Sequence, residues 1–175
     1  IKNTERAGEF KIASGGHVDG QGKVSLKNQG NGGMTIAKGA KVTNDNAMNK
    51  AETAIVNENG AMLVDGEITN YGNMAINNSG SGLTFTKNSV VTNEGQLKVK
   101  NYGADGMTIV GDINNTGNVT FYNDAGQMQL ATSTDKTKAG NITNADGRLI
   151  IWSRNNSTGV SAASTSKIIN NGNGN

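Results

Sequence analysis

Ile68-Thr69-Asn70-Tyr71-Gly72-Asn73-Met74-Ala75-Ile76-Asn77-Asn78 reads, at every second place, apolar residue, Asn, Gly, two apolar residues, Asn. The same six-place line returns in Val91, Asn93, Gly95, Leu97, Val99 and Asn101, and again in Ile113, Asn115, Gly117, Val119, Phe121 and Asn123. The starts lie 23 and 22 residues apart. Alternation with a period of two describes extended chain with one face buried. Its return at a near-constant interval describes stacked copies of one short unit, since a unit that small cannot cover its own apolar face.

Working outward from this stretch, each unit is expected to hold three short strands. In the best-defined one these run from Leu97 to Asn101, from Met107 to Ile109 and from Ile113 to Asn115, the last continuing through Gly117 into the next unit. The template accommodates the chain as seven levels, complete or partial. The opening level keeps Ile1 to Asn3, Phe10 to Ile12 and Val18 to Gly20. The last has Leu149 to Ile151, a weak middle strand near Val160, and Ile169 to Asn171. Departures from the period fall at residues 45–52, 132–139 and 154–158, where extra polar residues are expected to form surface loops. Apolar residues never recur at helical spacing over a useful length, so no helix is expected.

The alternation passes through the glycines without changing face, as in Val18, Gly20, Gly22, Val24, Leu26 and Asn28. Glycine on the buried line leaves no side chain to house and tolerates a bent backbone, so the chain turns a corner there without reversing. Successive copies then lie parallel and in register. The expected fold is all-β: a parallel β-helix (solenoid) spanning residues 1–175, with about seven coils of about 22 residues and three short strands in each. Two asparagine columns follow. Asn3, Asn28, Asn57, Asn78, Asn101 and Asn123 share one place in the unit; Asn44, Asn70, Asn93, Asn115, Asn144 and Asn171 share another. A buried amide is costly unless bonded, and stacked copies satisfy one another.

Composition removes several classes of function. There are 25 Gly but no Pro, and the glycines are spaced by the repeat rather than clustered. No Cys is present, which excludes disulfides, thiolate metal sites and a thiol nucleophile. The net charge of +2 is scattered, and only Arg6, Arg148 and Arg154 supply guanidinium groups. Nucleic-acid binding is therefore not expected. No apolar run reaches the length of a membrane span, so no membrane insertion of this segment is expected. The chain starts and stops inside the repeat pattern, and is expected to be a piece of a longer protein.

No catalytic, cofactor-binding or metal-binding residues are expected. His17 is the only histidine and is expected to be a solvated loop residue. Asp19, Asp65, Asp105, Asp112 and Asp146 stand mostly beside glycines, where turn preference accounts for them. Thr35, Thr84 and Thr108 align on the middle strand, and Thr43, Thr69, Thr92 and Thr143 on the third, as β propensity favours. Tyr71, Tyr102, Tyr122 and Trp152 fall on the outward parity as exposed contact aromatics, expected to be scattered rather than in one row. Asn-x-Ser/Thr triplets begin at Asn77, Asn114, Asn118, Asn141, Asn155 and Asn156.

Units such as Ile113-Asn114-Asn115-Thr116-Gly117-Asn118-Val119-Thr120-Phe121 resemble the stalk repeats of large secreted bacterial surface proteins, namely filamentous-haemagglutinin-like adhesins and autotransporter passengers. The resemblance is one of repeat style and covers nearly the whole chain. It implies a right-handed coil, the default of such folds. It also implies a rigid stalk or fibre, extracellular or on the bacterial cell surface, that presents binding surfaces for attachment to host or neighbouring cells. The implied partners are flanking coils of the same protein and a host glycan or protein receptor. Two alternatives stand beside this: a polysaccharide-acting β-helix enzyme, and a filament subunit that associates head to tail.

Overall fold

The structure, a computed structural model, describes residues 1–47, 52–154 and 159–172. The described strands form three seven-stranded sheets, and each coil contributes one strand to each sheet. We number the coils 1 to 7 along the chain. Coil 5, the sequence template, comprises Gln96–Asn101 in the first sheet, Met107–Ile109 in the second and Asp112–Asn115 in the third. All strand pairings within the sheets are parallel, each joining a strand to its equivalent in the next coil. The chain thus winds as a three-sided β-solenoid, as the repeat predicts.

Burial follows the alternation strand by strand. Gln96–Asn101 reads exposed, buried, exposed, buried, half-buried, buried. Inward side chains then stack on equivalents one coil away. Leu26, Ile55, Ile76, Val99 and Phe121 form one interior column, and Val42, Ile68, Val91, Ile113 and Ile142 another. The second sheet contributes Met34, Met62, Leu83, Met107 and Met128. Unbranched methionine adapts to gaps left by differently shaped neighbours above and below. These columns meet in one continuous apolar core running the length of the coils.

The corners explain the glycines more sharply than backbone freedom does. A Cβ at Gly95 would lie 2.1 Å from the carbonyl oxygen of Gly72, and one at Gly117 would lie 2.2 Å from that of Gly95. Coils approach there through bare backbone, so the column excludes any side chain. At Gly106 the constraint is double: φ is +82°, and a Cβ would stand 2.1 Å from the oxygen of Gln127.

Both asparagine columns are hydrogen-bonded ladders. Nδ2 of Asn3, Asn28, Asn57, Asn78 and Asn101 each donates to Oδ1 of the asparagine in the following coil, over 2.7–2.8 Å. The second ladder runs from Asn44 through Asn70, Asn93 and Asn115 to Asn144 in the same direction. The second amide hydrogen is used as well: Asn70, Asn93 and Asn101 also donate to the carbonyls of Gly72, Gly95 and Gly103 at the corner. The ladder position thus pins each turn both to itself and to its neighbour.

One member differs from expectation. Asn144 donates to Oδ1 of Asn170, 2.6 Å away, and not to Asn171. The doublets Ile168-Ile169 and Asn170-Asn171 read equally well in either parity. Pairing of Ile142 with Ile168 and of Asn144 with Asn170 resolves the choice, since a one-residue slip would exchange the two faces. Asn171 contributes instead its backbone N–H, bonded to the carbonyl of Asn144 at 2.8 Å. In the first ladder Ser153 stands opposite Asn123 in coil 7 and ends the asparagine series.

Of the three excursions, the one at 132–139 is fully described and folds as a hairpin closed by an antiparallel bridge between Thr132 and Ala139. Residues 48–51 of the first and 155–158 of the third, with the triplets at Asn155 and Asn156, lie outside the described residues.

Candidate functional site

The outward face of the first sheet gathers most of the exposed aromatic surface in coils 5 to 7. Tyr122 and Trp152 are register partners on adjacent coils, with ring centroids 4.6 Å apart and planes at 63°. Tyr102 follows the strand of coil 5 and packs on Tyr122 from the other side, at 5.8 Å. Three of the four outward aromatics are therefore one contiguous cluster, contrary to the scattered arrangement expected. The excursion at 132–139 stretches the interval between coils 6 and 7 to 30 residues, which hides the column in the sequence. Tyr71 stands apart, half-exposed at the corner after coil 3.

The cluster is oriented by a polar chain. The Tyr122 hydroxyl donates to Oδ1 of Asp124 at 2.9 Å, and Arg154 donates to the same oxygen at 3.3 Å. The bond to Asp124 holds the Tyr122 phenol above its ordinary pKa, because the proton is shared with a carboxylate that disfavours phenolate. Trp152 remains 55% exposed and Tyr102 43% exposed, so both keep a free ring surface. Beside them lies a shallow depression of about 250 Å³ whose polar walls include Gln96, Lys98, Asn118, Thr120 and Arg148. Aromatic faces next to amide and cationic donors suit ligands with both apolar ring faces and hydroxyl groups.

The acids do not converge. Asp19 stands in the third sheet at coil 1, Asp65 follows the middle strand of coil 3, Asp105 precedes the middle strand of coil 5, Asp112 opens the third strand of that coil, and Asp146 follows coil 6. Asp65 accepts hydrogen bonds from Thr86 and Asn88, and Asp112 is ion-paired with Lys138. His17 belongs to a strand, His17–Gly20, rather than to a loop, and faces Asp19 at 3.0 Å on the exposed surface. Among the described residues no three His, Cys, Asp or Glu side chains gather as metal ligands would. Among the described residues no helix is long and apolar enough to cross a membrane.

The threonine rows occupy the predicted columns. Thr43, Thr69 and Thr92 pair in sequence, with Asn114 standing between Thr92 and Thr143. On the middle strand Leu63 interrupts Thr35 and Thr84, and Gln129 follows Thr108. Each of these strands presents at most one threonine, so the rows are narrow and broken.

Compared with known proteins, the chain matches no family, no curated protein and no solved structure.

Proposed function

We propose that this chain is a rigid segment of a secreted bacterial surface stalk, holding binding surfaces away from the cell and using the aromatic face of coils 5 to 7 for attachment. The observation that carries the reading is the pair of asparagine ladders running beside an uninterrupted core. Parting two central coils requires rupture of three parallel strand pairings and two buried amide bonds together. Such a rod resists bending, and the interior demands little of its outward side chains. Those are free to carry ligand contacts, and the Tyr102, Tyr122 and Trp152 cluster is where aromatic contact surface concentrates.

The test is a glycan and cell-capture screen on immobilised protein, run beside an assay for newly released reducing ends. Capture without bond cleavage, reduced at least tenfold by the double substitution Y122A/W152A, is expected. Release of reducing ends would replace this reading with that of a polysaccharide-acting enzyme.

A further inference from the structure

The hairpin that joins the second and third strands of coil 6 is firmly braced. Ser133 N donates to the carbonyl of Lys138 at 2.7 Å, and Gly140 N to that of Ala131 at 2.9 Å. At the tip Asp135 accepts from Ser133 Oγ at 2.6 Å, and from the backbone N and Oγ1 of Thr137 at 3.1 and 2.7 Å. Two ion pairs tie the hairpin to earlier coils, Lys87 to Asp135 and Lys138 to Asp112. A loop held at its tip and its base offers a prebuilt surface, and prior ordering lowers the entropic cost of binding.

Between the hairpin and the third sheet lies an open groove of about 1000 Å³. Its charge is one-sided. Lys136, Lys138 and Lys167 line it against a single acid, Asp112. That acid is already engaged by Lys138 and by Nδ2 of Asn141 at 3.3 Å. Among the described residues Lys136 and Lys167 make no ion pair, which leaves two uncompensated ammonium groups on the groove. Lys136 holds φ at +57°, the one non-glycine in the left-handed region among the described residues. Such conformations persist where the surroundings impose them, and they concentrate at functional surfaces. The rest of the wall is rich in hydroxyls, with Thr132, Thr134, Thr137, Thr143 and Thr165.

We propose that this groove binds an acidic oligosaccharide of the uronate type. Its carboxylates meet Lys136 and Lys167, and its ring hydroxyls exchange hydrogen bonds with the threonines. The volume suits a few sugar rings, whereas a single inorganic anion would leave most of it empty. An acidic peptide would answer the cations but not the density of hydroxyls. The site is separate from the aromatic face of the first sheet and stands whether or not the chain is a stalk.

Isothermal titration calorimetry of the whole chain with trigalacturonate tests it, beside neutral trigalactose of the same linkage and a hexaglutamate peptide. Trigalacturonate is expected to bind, at least tenfold more tightly than the other two, with affinity falling as salt is raised. The double variant K136Q/K167Q is expected to lose at least tenfold while keeping its far-ultraviolet circular dichroism. K11Q, on the exposed side of the second sheet in coil 1, should bind as the parent does. Absence of binding, equal binding of trigalactose or hexaglutamate, or full affinity in K136Q/K167Q would each overturn the proposal.

Discussion

The hydroxyl of Thr53 donates to Oδ1 of Asn44 across 3.0 Å, with both side chains buried. Thr53 occupies an inward place that Met74, Leu97 and Val119 fill in later coils. A polar residue there has a specific cause. Asn44 pairs with Gly20 in coil 1, which has no amide to donate upward. The first carbonyl of the second ladder would otherwise be left without the donor that every later one receives, and Thr53 supplies it.

Replacing that hydroxyl by a methyl should therefore cost stability although the position is apolar elsewhere. Thr53→Val is expected to lose about 1–3 kcal/mol, the penalty for stranding a buried acceptor, and Thr53→Ser to lose less. Urea unfolding measures both; an unchanged midpoint in Thr53→Val would refute the capping role.

The ladders should be strongest at their centres. Asn93 accepts from Asn70 at 2.7 Å and donates to Asn115 at 2.6 Å, so Asn93→Ala strands a donor and an acceptor together. A loss of about 2–5 kcal/mol is expected, against less than about 1 kcal/mol for Asn3→Ala at the half-exposed start of the first ladder. Comparable losses at the two sites, read from the same denaturation curves, would argue against cooperative stacking.

Glycines should divide by the space around them. Gly106→Ala combines a φ of +82° with a 2.1 Å approach to the oxygen of Gln127, and is expected to destabilise by more than about 2 kcal/mol. At Gly22 nothing lies within 4 Å of an added Cβ. Gly22→Ala is expected to be neutral or stabilising by about 0.4–1 kcal/mol, through the unfolded chain. Thermal melts of the pair test the contrast.

The hairpin clasp should show itself in acid. Hydrogen bonds from Lys87, then Ser133 and Thr137, hold the Asp135 carboxyl well below the usual carboxylate range. Because the folded value is depressed, the clasp contributes above the unfolded pKa near 4 and fades only as pH falls through the lower folded value. Lys87→Gln should raise the Asp135 pKa toward the ordinary range, so that the hairpin loosens in milder acid. Carboxyl carbon shifts followed by NMR titration read this directly; an unmoved Asp135 would disprove the pairing.

The sequence by itself determined the coil. Inward residues obey a period of two and a near-constant interval because each must rest on its own equivalent, so Ile68, Asn70, Leu97 and Phe121 announce their places without reference to anything distant. Asn171 marks the limit of that rule, because the Ile-Ile and Asn-Asn doublets leave the parity open and only interstrand pairing chooses. Outward residues obey no such rule, since solvent accepts almost any side chain there. Tertiary structure alone decided that Tyr122 meets Trp152 across 30 residues, that Lys87 reaches Asp135 across 48, and that Thr53 caps Asn44. The physical reason is that stacking constrains the interior at every coil, whereas surface neighbours depend on the lengths of the excursions, which the repeat does not encode.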